Sequence, residues 1–489
     1  MKVGIVLRVL SFICAIVSLF MLPPLLLALL DGTGDAAAFA VSLGTGILLS
    51  LGLFLAGRRW RPGPLGDNLG IREAVGVVGF AWVIASAVGA LPYWQFGAAP
   101  RYVDAFFETM SGFTTTGATI IDDVDKLTHG LLFWRSMTQW IGGLGIVFFT
   151  TAILPSFVGG SVKVFAAEAT GPVSTRLHPR LSTGAKWIWM VYLVLTVGCT
   201  LSFMVCGMGW FDSINYAMGS TATGGFSTHT DSAEFFRSPA IEYIATFFCF
   251  LSGVNFTLLY TTATHRSLKL MYKSEEFRFY TFVVIAFSLF IIAQLMLHNG
   301  YDLEKAFRCG IFQVVSFITT TGLFNDDAAQ WPHVTWVVLA TCMFLGACSG
   351  STSGGFKSIR SVMMLKIIRN EFKQILHPNA ILPIHVDGSN IPSQKRVTLL
   401  SFLAVYLLLC LFASFIFIAA GVDNTNAITI TLSTLGNVGP SLGLEIGPTM
   451  SWSMLPAGIK WVCSALMLIG RIEIFTILVI FTPAFWKDR

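Results

Sequence analysis

Long apolar stretches broken by short polar turns run through most of this chain. Leu7 to Leu30, Ala40 to Ala56, Val75 to Leu91, Phe279 to Leu297, Leu399 to Ala420 and Ile459 to Ala484 stand out. Each is long enough to cross a hydrocarbon core of about 30 Å, which takes about 20 helical residues. Counting the stretches interrupted by Gly, Pro or a charge, the sequence predicts about ten membrane spans. After the first two, one unit recurs four times: apolar span, short helix too short to cross, polar turn, second apolar span. The short helices begin near Asp104, Asp212, Leu303 and Asp423. The turns are Thr114 to Thr119, Thr221 to Ser227, Thr319 to Leu323 and Gly436 to Pro440. Second spans follow at Leu131 to Leu154, Ile241 to Tyr260, from Val334, and at Ile459 to Ala484. Asp104 to Gly117 and Asp212 to Gly225 are both thirteen positions apart, which aligns the first two units; such internal repetition dictates the architecture.

Non-helical backbone at membrane depth is tolerated only inside protein or beside a watery cavity. Four such turns, converging on one axis, can offer carbonyls in place of a cation's hydration shell. The short helices would aim their partially negative C-termini at that axis and favour cations over anions. A single Gly/Thr-rich turn would carry little weight, because small residues also let membrane helices pack closely. Four in register favour an ion path.

Charge adds the orientation. Only 12% of residues are charged, against roughly 25% in soluble proteins. Basic residues gather in alternate connecting segments: Arg58, Arg59 and Arg61; Lys163, Arg176, Arg180 and Lys186; Arg266, Lys269, Lys273 and Arg278; Lys366, Arg369 and Lys373; Lys395 and Arg396; Lys487 and Arg489. The other segments are acidic, with Asp31, Asp35, Asp122, Asp123, Asp231, Glu234, Asp326, Asp327 and Glu445. The positive-inside rule then puts both termini in the cytoplasm. It also accounts for the net charge of +5 without a nucleic-acid partner. Lys2 and Arg8 before an apolar run resemble a secretory signal, but the run is too long, and a retained helix bent at Pro23-Pro24 is expected. The nine cysteines lie mostly in apolar segments without disulfide or zinc spacing and read as packing residues.

The turns carry a resemblance. FTTTGAT (Phe113 to Thr119), ATGGFSTH (Ala222 to His229), FQVVSFITTTG (Phe312 to Gly322), GACSGSTSGGFKS (Gly346 to Ser358) and GNVGPSLG (Gly436 to Gly443) occur in that order. With QWIGGLG (Gln139 to Gly145) and GRIEIFT (Gly470 to Thr476), they resemble the Trk/Ktr/HKT potassium transporter superfamily, in particular its TrkH/TrkG branch. The two extra N-terminal spans agree with that branch.

The resemblance implies an all-α polytopic membrane protein with four membrane–pore-loop–membrane repeats around one pore. Its expected division is residues 1–66 for the extra spans, then repeats at 67–160, 161–265, 266–376 and 377–489. The potassium-selecting glycines map to Gly117, Gly225, Gly322 and Gly439, with Gly224 and Gly436 as rivals in their turns. Candidate ion ligands are Thr115, Thr116 and Gly117; Thr223, Gly224 and Gly225; Thr320, Thr321 and Gly322; Asn437, Val438 and Gly439. In the family a serine at the first glycine goes with sodium permeation; this chain has Gly117. K+ is expected as the transported ion. A TrkA-like cytosolic subunit binding NAD(H) and ATP or ADP, and a homodimer in the bacterial inner membrane, are likewise implied.

Two features bear on gating. In the third unit the last span breaks at Gly346 to Gly355 and resumes after Phe356. So glycine-rich a stretch costs roughly 1 kcal/mol per Gly in a helix and must face protein or water. The resemblance makes it an intramembrane loop obstructing the pore, with Gly346, Gly350, Ser351, Gly354, Gly355 and Lys357 as its candidates; a plain kink is the alternative. Arg471 lies about 24 Å from Lys487 at 1.5 Å per residue, too deep to snorkel. It either faces the ion path, as the resemblance implies, or pairs with Glu473 or another acid. A coupled H+ or Na+ symporter remains the alternative to a channel-like pore. An intramembrane hydrolase using Gly350-Ser351 lacks a placed histidine. No Walker lysine motif occurs.

Overall fold

A computed structural model describes residues 2–59, 70–145, 181–380 and 382–486. Arg61, Lys163, Arg176, Arg180, Lys487 and Arg489, the expected unit boundaries at 66/67 and 160/161, and the first unit's second span beyond Gly145 lie outside the described residues. Helices α1 (Val3–Leu19) and α2 (Leu22–Asp31) make one 29-residue span. Its break falls at Phe20-Met21, ahead of the prolines. Pro23 and Pro24 sit in the first turn of α2, where backbone N–H groups have no helical acceptor to lose. Helix α3 (Asp35–Arg59) packs back along α1.

The four units follow. Unit one has α4 (Ile71–Gly89), the short α5 (Tyr102–Phe113) and α6 (His129–Gly143). Unit two has α7 (Leu181–Val205), the short α8 (Trp210–Thr221), and α9 (Pro239–Ser252) with α10 (Phe256–His265). Unit three has α11 (Glu275–His298), the short α12 (Leu303–Ile318), α13 (His333–Leu345) and α14 (Ser358–Leu376). Unit four has α15 (Ser393–Ala419), the short α16 (Asn424–Gly436), and α17 (Ala457–Arg471) with α18 (Ile474–Leu478). A small antiparallel hairpin, His385–Val386 with Ser389–Asn390, links units three and four. Among the described residues strands are confined to that hairpin.

Among the described residues, six helices or joined helices are long and apolar enough to cross a membrane. Two of the other expected spans are sharply bent pairs: α9 meets α10 at 98°, and α17 meets the segment Ile474–Phe481 at 117°. Periodicity read both as single spans. The first bend follows Gly253-Val254, where Asn255 caps α10 by accepting from the Leu258 N–H at 3.2 Å. The second turns on Glu473, whose φ is +71°. The break expected in unit three is present: α13 stops at Leu345 and α14 starts at Ser358.

Burial is distributed as a hydrocarbon surround requires. The apolar windows of α3, α7 and α15 are only 22% buried, and leucines such as Leu48, Leu408 and Leu411 point outward. Such apolar faces would associate in water but suit lipid. The short helices are the reverse. Every residue of α5 after Tyr102 is buried, including Glu108, Thr109 and Ser111, so polar groups lie at the centre and lipid-facing groups at the rim.

Candidate ion pathway

Each short helix ends directly in its turn, and the four turns repeat one construction. The N–H of Thr116 donates to the Ser111 carbonyl at 2.8 Å, and that of Gly224 to Gly219 at 2.9 Å. Thr321 donates to Ser316 at 2.8 Å and Val438 to Ser433 at 2.9 Å. Two left-handed residues, two positions apart, follow the helix in each unit. They are Thr115 and Gly117 (φ +51° and +84°), Thr223 and Gly225 (+53° and +77°), Thr320 and Gly322 (+58° and +79°), and Asn437 and Gly439 (+56° and +103°). For a β-branched threonine this conformation is strained by about 1–3 kcal/mol, and such strain persists only where surrounding contacts fix it. The rival glycines lack this positive φ. Gly224 packs against the Gln139 side chain. Gly436 closes α16, and its carbonyl accepts from the Gly355 N–H at 2.9 Å.

Contacts between turns close a ring. A Cβ added to Gly117 would strike the Gly224 carbonyl, one on Gly225 the Thr321 carbonyl, one on Gly322 the Val438 carbonyl, and one on Gly439 the Thr116 carbonyl, all under 3.0 Å. The units are therefore arranged one, two, three, four and back to one, with backbone carbonyls and glycines alternating. Asn437 adds a side-chain tie from unit four to unit one, donating from Nδ2 to Thr116 Oγ1 at 3.0 Å. All four glycines line one cavity of about 70 Å³, which also touches Arg135 and His229. A second cavity, of about 90 Å³, is lined by Leu435 at the foot of α16, by Gly354, Gly355 and Lys357, and by Arg471. The C-terminal ends of the four short helices meet the ring and bring partial negative charge to it.

Two braces of this ring escaped the sequence reading. Gln139 donates from Nε2 to the Gly224 carbonyl at 2.5 Å and accepts from the Phe226 N–H at 3.0 Å, gripping the second turn from both sides. Glu108 and Arg135 form a buried ion pair of 2.9 Å, 0% and 2% exposed. Glu108 also accepts from the Ile120 N–H (2.9 Å) and Thr119 Oγ1 (3.0 Å). Arg135 donates to the Ser227 carbonyl at 2.9 Å and covers the Phe226 ring at 4.2 Å. The pair thus fastens the segment leaving the first turn to the segment leaving the second. Its sequence signal was available: a lone Glu inside a short helix of a membrane protein demands a partner.

The broken segment of unit three lies directly under the ring. Gly346, Gly350, Gly355 and Lys357 have positive φ. Gly354 donates its N–H to Thr320 Oγ1 at 2.7 Å, so the loop touches the foot of the third turn. The Lys357 ammonium donates to the Ser353 carbonyl within the loop. Ser351 donates to the Cys348 carbonyl at 2.6 Å and shares a bond with Ser353; among the described residues it has no histidine partner. Arg471 donates to the Thr352 carbonyl of the loop at 2.8 Å and to the Gly142 and Gly143 carbonyls at the end of α6, at 2.7 and 2.8 Å. The expected alternative partner, Glu473, pairs instead with Arg360.

Comparison with known proteins agrees with this architecture. Residues 65–488 match the family model TrkH, described as a cation transport protein. The Trk system potassium uptake protein TrkH of Salmonella typhimurium is 37% identical over 491 residues, covering 98% of this chain and 99% of the relative. The Trk system potassium uptake protein TrkG of Escherichia coli is 31% identical, covering 99% of each. The crystal structure of the potassium transporter TrkH from Vibrio parahaemolyticus superposes with a TM-score of 0.88 at 33% identity, over 100% of both chains. These are transport proteins rather than enzymes, and the chain belongs to the TrkH family of multi-pass cation transport proteins.

Proposed function

We propose that this chain carries potassium into the bacterial cytoplasm, down its electrochemical gradient, through the ring formed by its four turns. The observation that carries the reading is the closed succession of Gly117, Gly225, Gly322 and Gly439, each pressed against a carbonyl of the next unit. Carbonyls held in such a ring can replace the hydration shell of a dehydrated cation. In this reading Thr115, Thr116, Thr223, Gly224, Thr320, Thr321, Asn437 and Val438 supply the ring's remaining backbone and hydroxyl oxygens. The loop Gly346 to Lys357 is the gate beneath, held shut by Arg471. Relatives named as parts of a Trk potassium uptake system support K+ as the ion. Membership of a Trk system implies partner subunits, and in this reading a cytosolic nucleotide-binding, TrkA-like subunit regulates the gate. A homodimer in the inner membrane, with both termini cytoplasmic, belongs to the same reading.

The test is rubidium and potassium flux into liposomes holding the purified protein, with and without the cytosolic subunit. Uptake should follow the potassium gradient alone and persist when proton and sodium gradients are collapsed. Uptake that stops on collapsing either gradient would replace the channel-like reading with coupled symport.

A further inference from the structure

The loop under the ring is fastened at its neck. The Phe356 N–H donates to the Phe344 carbonyl at 2.8 Å and the Ser358 N–H to Ala347 at 2.9 Å. The Ser358 hydroxyl donates to the Gly346 carbonyl at 2.8 Å. Against this neck lies Glu276, the second residue of α11 and only 6% exposed. Its Oε1 accepts from the Ser349 N–H at 2.5 Å and the Ile359 N–H at 3.2 Å, and its Oε2 from the Ser349 hydroxyl at 3.2 Å. One carboxylate therefore holds both the segment leaving α13 and the first turn of α14. The Ile359 N–H is one of the donors a helix N-terminus leaves without an internal partner, and negative charge is favoured there. A buried carboxylate is costly unless satisfied in this way; an apolar side chain would fill the same space more cheaply if packing were all that mattered.

The neighbouring residue faces the other way. Glu275 forms an ion pair with Lys366 of α14, and its N–H donates to Asp387 of the hairpin at 2.7 Å. The start of α11 is thus held by the loop's neck on one side and by α14 and the hairpin on the other. A displacement of the hairpin has a short mechanical route to the neck.

We propose that Glu276 is a positioning residue for the gate, keeping loop 346–357 seated under the ring by bridging Ser349 to Ile359. This rests on the gating role proposed above for that loop. Glu276→Ala removes both acceptors and loosens the neck. Basal rubidium uptake per folded protein should rise by roughly fivefold or more, the scale of an ordinary coupling between two sites. Dependence on the cytosolic subunit should weaken, and the rubidium-to-sodium ratio, set at the ring, should not move. Glu276→Gln keeps an oxygen that can accept from both N–H groups and an amide that can donate to Ser349 Oγ, so it should stay near the parent. A merely structural contact would not show rescue by glutamine together with unchanged selectivity.

The deletion of Gly350 to Gly354 separates this inference from the reading beneath it. If the deletion leaves basal flux unaltered, the gate is not this loop. If the deletion raises flux but Glu276→Ala does not, Glu276 has no positioning role. Should the alanine variant fail to fold, Glu276→Asp decides: its carboxylate is one methylene too short to span both donors, and parental basal flux in that variant overturns the proposal. A rise as large in glutamine as in alanine overturns it too.

Discussion

Replacing Gly117 with serine asks the first turn to hold a side chain where the Gly224 carbonyl already stands, and to do so at φ +84°. Neither demand can be met by rotating a side chain, because the colliding atom is backbone. The ring must open between units one and two, and its carbonyls then fit a partly hydrated ion less selectively. Gly117→Ser should raise sodium relative to potassium permeation, with the same direction for substitutions at Gly225, Gly322 and Gly439. Unaltered permeability ratios in all four would remove these glycines from the path. Arg471 poses a different question. Its guanidinium is a charge beside the lower cavity and also a three-way tie between the loop and the end of α6. Coulomb repulsion of a passing cation needs only the charge; the tie needs the planar fork of donors. Arg471→Ala should increase flux under either view. Arg471→Lys separates them: flux near the parental value assigns the effect to charge, and flux near that of alanine assigns it to the tie. Reduced flux with a lowered melting temperature in the alanine variant would leave Arg471 a structural role only.

Where elements meet, the connecting segments do more than the sequence suggested. His229, in the segment after the second turn, bonds through Nδ1 to Asp125 of unit one at 2.7 Å. Its Nε2 lies 3.6 Å from Asp212 at the start of α8, and its ring stacks on Phe235 at 3.5 Å. Burial opposes charge on the imidazole, but the nearby Asp212 carboxylate and the Asp125 carboxylate, the latter hydrogen-bonded to Nδ1, outweigh it and raise the His229 pKa above its ordinary value. A raised folded-state pKa means that the stabilisation is complete below the unfolded value of about 6.5 and is lost as pH climbs through the folded value. The melting temperature of His229→Gln should therefore fall furthest below the parent near pH ~6, with the gap closing toward pH ~9; a gap independent of pH would mean that only packing was lost. The recurrent unit and the break after Leu345 were legible, because apolar length and a ten-residue glycine/serine-rich stretch are local signals. The bends at Asn255 and Glu473 were not. Each turns on one residue in a largely apolar run, and contacts far away in sequence hold it there: the Phe256 N–H donates to the Gly350 carbonyl at 3.0 Å, and Glu473 reaches Arg360.

The four units share one construction but are sealed to one another by different chemistry. Between one and two, Arg135 reaches the Ser227 carbonyl; between two and three, Glu242 on α9 pairs with Arg308 on α12 at 2.6 Å. Between four and one, Lys460 on α17 pairs with Asp104 on α5 at 2.7 Å, the two side chains 1% and 4% exposed. Repetition in the sequence revealed the units and their glycine-bearing turns, with Gly224 and Gly436 left as rivals in two of them, but no periodic signal marks which charge on one unit meets which on the next. Seams of this kind are legible only once the order around the ring is known. The last seam is the one that closes the ring, so it is where independent units and a single closed body differ most in what they predict. Lys460→Met strands Asp104, and breaking a buried pair in this way costs about 3–5 kcal/mol. Arg101, 3.0 Å from the same carboxylate but largely exposed, offsets only part of that. Pairing the change with Asp104→Asn removes the stranded charge, so the double variant should recover much of the lost thermal stability, a coupling that a double-mutant cycle measures directly. Selectivity should respond as well. Asp104 lies at the start of α5, whose far end leads into the turn that sets the Thr116 carbonyl against Gly439. Loosening the seam lets the ring part there, and sodium leak should rise in Lys460→Met and decline again in the double variant. Strictly additive stability changes with an unmoved sodium-to-potassium ratio would show that the ring holds without its final seam.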